Sequence, residues 1–85
     1  MASHTKVVSL RGTLRSEDGR YQRECRIRAM KVTMQVDELM SSAAVEYPDV
    51  SIVDSDDFPD GNYELTFDGQ KDLRTKKNGQ YLARQ

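Results

Sequence analysis

The chain has 85 residues, of which 36% are apolar and 32% charged, with no tryptophan and one cysteine. That bounds it to a single small domain over residues 1–85 with a thin core, and the net charge of −1 keeps it out of the disordered class. No apolar run reaches the roughly 18 residues that span a bilayer, and the start Met1-Ala2-Ser3-His4-Thr5-Lys6 offers no secretory h-region. A lone cysteine builds no disulfide framework, so a cytoplasmic protein without a membrane segment is expected.

Taken in chain order, residues 6–15 alternate with Val8, Leu10, Gly12 and Leu14 on one face. Residues 20–29 alternate in the opposite phase, with Tyr21, Cys25, Ile27 and Ala29 together. A four-residue loop, Ser16-Glu17-Asp18-Gly19, joins them into a hairpin that sets Leu14 against Tyr21, Leu10 against Cys25 and Val8 against Ile27. Arg23 then intrudes on the apolar face opposite Gly12. After Ala29 the apolar phase flips to Met30, Val32, Met34 and Val36, which predicts a bulge or a bend into a third strand near Ala29 and Met30. This methionine-rich stretch suits core filling or an interface between copies.

From about Asp37 to Glu46 the apolar spacing becomes helical, with Val36, Met40, Ala43 and Tyr47 recurring and Leu39 beside them. Asp37 stands at the cap position and Pro48 at the stop. Val50-Ser51-Ile52-Val53 reads as a short strand, and residues 54–62 as a loop. The last third reads as an antiparallel meander. Tyr63, Leu65 and Phe67 form one inward face, a three-residue loop Asp68-Gly69-Gln70 sets Leu65 against Leu73, and Asn78-Gly79 makes a tight hairpin pairing Thr75 with Leu82 and Lys76 with Tyr81. The expected architecture is α+β: an N-terminal hairpin, one central helix and a C-terminal meander, with a small half-open barrel as its tighter variant.

Charge is segregated along the chain. Residues 1–31 carry eight basic and three acidic side chains, residues 32–70 carry ten carboxylates and no Lys or Arg, and residues 71–85 carry five basic groups and Asp72. Such asymmetry calls for an electrostatic partner, either within the fold, with the acidic middle beside the basic ends, or outside it.

Catalytic and cofactor chemistry find little material. His4 is the sole histidine and lies near a terminus. Cys25 falls on the apolar face, where a thiol is an inert small hydrophobe, and no phosphate-binding glycine loop is present. The acidic run Asp54-Ser55-Asp56-Asp57-Phe58-Pro59-Asp60-Gly61 fails as a calcium loop. Counting from Asp54 puts Phe58 and Pro59 at positions needing a ligand and a glycine, and counting from Asp56 puts Phe58 at another ligand position. No enzyme, cofactor or metal site is therefore expected.

Two charged features remain. The hairpin gathers Arg11, Arg15, Arg20, Arg26 and Arg28 on one face, extended by Lys76 and Lys77, and guanidinium forks suit carboxylate and phosphate recognition. The acidic loop, through Asp54, Asp56 and Asp57, imitates nucleic-acid phosphates toward a basic protein. In size and missing machinery the chain resembles the small accessory binding proteins that phages and mobile elements encode. The resemblance implies a non-enzymatic protein-binding module of inhibitor or adaptor type acting through a charged surface. Two alternatives stand beside it: a nucleic-acid-binding domain using the arginine face, and a structural homo-oligomer such as a dimer.

Overall fold

The computed structural model describes residues 3–35 and 43–84. They form six strands: β1 (Ser3–Ser16), β2 (Gln22–Gln35), β3 (Ala43–Ile52), β4 (Gly61–Phe67), β5 (Gln70–Lys77) and β6 (Gln80–Ala83). Every pairing is antiparallel, in the order β3-β2-β1-β4-β5-β6, and the sheet curls into a nearly closed barrel. The fold is all-β rather than α+β. Among the described residues there is no helix.

The expected helix is overturned where it can be seen. Residues 43–46 lie in β3, while residues 37–42, including the cap Asp37 and Met40, lie outside the described residues. The 14-residue β2 presents a long edge, and pairing with it satisfies backbone groups that local helical spacing does not weigh. Pro48 does not stop a helix. It sits with Tyr47 opposite the single residue Lys31, where the register slips by one, so the bulge lies in the edge strand, where the missing N–H costs least.

β2 itself runs unbroken through the apolar phase flip: an irregularity does fall beside Met30, but its extra residue is in β3, and the flip is absorbed as a change of face rather than by a bend at Ala29. Val7, Met30, Val32 and Met34 lie on the outer face, while Lys6, Lys31 and Thr33 take the inner one.

The first hairpin forms, but two residues out of the expected register: Leu10 faces Ile27, Gly12 faces Cys25 and Leu14 faces Arg23. The connection is longer than four residues because Ser16 and Asp18 organise it. Ser16 Oγ donates to Asp18 and accepts from the Tyr21 N–H, the Arg20 N–H donates to Asp18, and the Ser16 N–H donates to the Tyr21 carbonyl. A slip of two leaves every side chain on its expected face. At Gly12 the backbones close up: a Cβ there would press on the Ile27 side chain and sit 2.9 Å from the Thr66 carbonyl oxygen.

The Asn78-Gly79 hairpin has the expected pairs, with φ of 53° and 80°. The Asp68-Gly69 turn has the same left-handed pair, 48° and 71°, and so holds two loop residues, not three. Leu65 therefore opposes Asp72 and Glu64 opposes Leu73, which leaves Leu73 outside and turns Asp72, Arg74 and Lys76 inward.

The core is small: Leu14, Cys25, Ile27, Ala29, Val50, Tyr63, Leu65 and Phe67, with Val8, Leu10, Tyr47, Ile52, Phe58 and Tyr81 packed against it. β4 covers β1 only from Thr13 to Ser16, so the far ends of β1 and β2, with β3, run on as an arm and stretch the molecule to 48 Å.

Candidate functional site

The outer face of β1 and β2 holds three arginines together. Arg11 and Arg26 are direct cross-strand partners, and Arg28, two residues on, lies beside Ser9 on β1 and Ser51 on β3. Like charges set opposite one another destabilise a sheet. Among the described residues the sole relief is Arg11 to Glu24 at 3.9 Å, with both side chains at least 74% exposed, a geometry that contributes little. Arg26 and Arg28 make no ion pair among the described residues. On the same face, Val7 is 67% and Met30 37% exposed, and Val53, whose N–H bonds the Arg26 carbonyl, is 55% exposed. Cations and apolar surface thus adjoin.

The other predicted site residues go elsewhere. Arg15 opposes Gln22 and Glu64 on the outer face, but its guanidinium lies over the turn at Gly19. Arg20 belongs to that turn, 3.9 Å from Asp18. Lys77 is exposed at the Asn78-Gly79 turn, and Asp57 is exposed in the acidic loop.

Lys76 and Asp56 are drawn inside, and Asp54 stays at the rim beside them. The Asp56 carboxylate accepts from Lys76 Nζ at 2.6 Å, from Arg23 Nε and Nη2 at 3.0 and 2.9 Å, from the Tyr81 hydroxyl at 2.8 Å and from the Phe58 N–H at 2.9 Å. Burial alone raises its pKa, and these donors more than reverse that, holding it at about 2. Burial and the adjoining carboxylate push the Tyr81 hydroxyl up. Asp54 accepts from the Arg26 N–H at 2.8 Å and lies 3.7 Å from Arg23. Asp56 and Asp54 are therefore taken up in closing one end of the barrel, while Asp57 and Asp60 stay exposed. Phe58 stacks on Tyr63 and meets Tyr21 at a tilt, and Tyr63 donates to the Pro59 carbonyl. From residues 1–31 and 71–85, Arg23 and Lys76 meet the acidic middle in the interior, and Lys71 meets Glu64 at 3.3 Å on the surface.

This network was not foreseen, although Arg23 in the inward phase and the i, i+2 run Asp72, Arg74, Lys76 both signal it. Arg74 pairs with Asp72 at 2.7 Å and donates to the Val50 carbonyl at 2.9 Å, bridging β5 to β3. Above it opens a cleft of about 400 Å³ between Val50–Asp56 on one side and Gly79–Leu82 on the other, floored by Arg74 and Lys76.

Cys25 is buried and burial pushes its thiol pKa up, while His4 is exposed near the start of β1. Among the described residues no His, Cys, Asp and Glu cluster has metal-binding geometry, and no helix is long and apolar enough to cross a membrane. Compared with known proteins, the chain matches no family model, no curated protein and no solved structure.

Proposed function

We propose that this chain is a non-enzymatic protein-binding module whose contact surface is the outer face of β1 and β2, with Arg11, Arg26 and Arg28 meeting carboxylates and Val7, Met30 and Val53 meeting apolar side chains. The observation that carries this is the face-to-face placement of Arg11 and Arg26. It weakens the isolated sheet, and an acidic partner removes the repulsion. A protein fits better than a nucleic acid because β1 and β2, which carry the arginine face, hold no phenylalanine, tyrosine or tryptophan on which a base could stack. Of the acidic loop, Asp56 and Asp54 are left out of the surface, since they are already paired.

The test compares the native chain with R26E/R28E in partner capture from lysate, beside binding of single- and double-stranded oligonucleotides at about 50 and about 200 mM salt. Capture of a protein that the double variant loses supports the proposal. Equal capture by both, or salt-dependent oligonucleotide binding alone, overturns it.

A further inference from the structure

The two lips of the cleft between β3 and β6 both present backbone groups that the sheet leaves unpaired. Along a strand, successive N–H and C=O pairs point to alternate sides. Val53 donates its N–H to Arg26 on β2, so Val50 and Ile52 direct theirs away from β2, and the Val50 carbonyl indeed accepts from Arg74. Arg84 donates to Leu73 on β5, so Tyr81 and Ala83 direct theirs away from β5. Six alternating strands set β3 and β6 antiparallel to each other. Each lip is about four residues long, Val50–Val53 and Gln80–Ala83. Further back along β3 the bulge at Pro48, which lacks an N–H, blunts the edge, so regular pairing stops there although a smaller hollow of about 220 Å³ continues beside Tyr47 and Pro48.

We infer that this cleft receives one extended segment of a protein partner as a seventh strand, with small uncharged side chains pointing inward and acidic side chains pointing outward. The backbone edges specify an extended chain. Charge specifies the rest. On the floor Arg74 is matched by Asp72 and Lys76 by Asp56, so a charged inward side chain finds no counter-ion there. On the outside the segment lies next to exposed Ser51 and Val53. Arg28, the β2 partner of Ser51, and Arg26 are then two strand spacings away, about 10 Å, a gap that long outward side chains close over the small Ser51. The Val50 carbonyl has a second lone pair for the incoming N–H beside Arg74. The acidic outward pattern rests on the arginine-face proposal; the strand addition does not.

The probe is an alternating Glu-Thr octapeptide, compared with a Gln-Thr octapeptide and with the Glu-Thr peptide N-methylated at alternate residues. Binding is read by fluorescence anisotropy and by amide NMR exchange at Val50, Ile52, Tyr81 and Ala83. The inference expects protection of these four amides by both unmodified peptides, about tenfold weaker binding of the N-methylated one, and about tenfold weaker binding of Glu-Thr, but not Gln-Thr, to R26E/R28E. If neither peptide binds up to about 1 mM, or binding leaves the four amides exchanging as in the free protein, the strand addition is overturned. In the second case, shifts at Arg26 and Arg28 leave the arginine face standing. Equal binding of both peptides to the native chain and R26E/R28E, with the amides protected, keeps the seventh strand and overturns its acidic pattern.

Discussion

Lys76 Nζ and Asp56 Oδ1 meet at 2.6 Å with 5% and 6% of their side chains exposed, joining the fifth strand to the loop that closes the barrel. The contact is held from the other side by Arg23, so one carboxylate serves two cations and a tyrosine hydroxyl. No buried side-chain polar atom is left without a partner among the described residues, which is the condition under which charges inside so small a core are tolerated.

Asp56→Asn keeps the shape and removes the charge, leaving Lys76 and Arg23 facing each other across a neutral amide. A loss of about 3–5 kcal/mol is expected from urea unfolding at constant slope. Adding Lys76→Met to that variant removes one uncompensated cation and restores part of the loss. A double variant weaker than Asp56→Asn alone contradicts this account of the network.

Acid acts on the same group. The folded-state pKa of Asp56 is lowered from 3.8 to about 2, so its contribution is present above the unfolded value and disappears as pH falls through the folded one. Stability measured by thermal melts is expected to drop between about pH 5 and about pH 2, and to drop less steeply in Asp56→Asn. Parallel curves for the two proteins count against the assignment.

At Gly12 the expected effect is steric. Gly12→Ala presses a methyl onto the Ile27 side chain and toward the Thr66 carbonyl, for about 1–3 kcal/mol of destabilisation. Combining it with Ile27→Val, which withdraws the terminal methyl, recovers some of that loss. Calorimetric melting points of the three variants check it.

Arg26→Glu tests whether the arginine face is kept for binding rather than for the fold. The substitution replaces a like-charged pair opposite Arg11 with an opposite-charged one, so the isolated chain gains about 0.2–1 kcal/mol. Partner capture falls at the same time. A variant that is less stable and still captures its partner is the contrary result.

Several features were legible in the residues alone. The alternation around Leu10 and Ile27 identified a hairpin and its two faces, Asn78-Gly79 located a turn to the residue, and Tyr63, Leu65 and Phe67 formed an inward face. These are properties of neighbours in the chain: side-chain alternation, and a backbone geometry that few residues adopt.

What alternation cannot see, the tertiary structure decided. A two-residue slip leaves every face unchanged, so the pairing of Leu10 with Ile27 came from the Ser16–Asp18 turn network and the close fit at Gly12. Residues 43–46 became strand because β2 offered an edge, against their own helical spacing. The two-residue Asp68-Gly69 turn faces Asp72, Arg74 and Lys76 inward; Asp72 and Arg74 pair with each other, but Lys76 needs Asp56, 20 residues before it, which Arg23, 33 before Asp56, also holds. A buried charge is stable only with its counter-charge, and the distance between the two along the chain carries no trace of their distance in space.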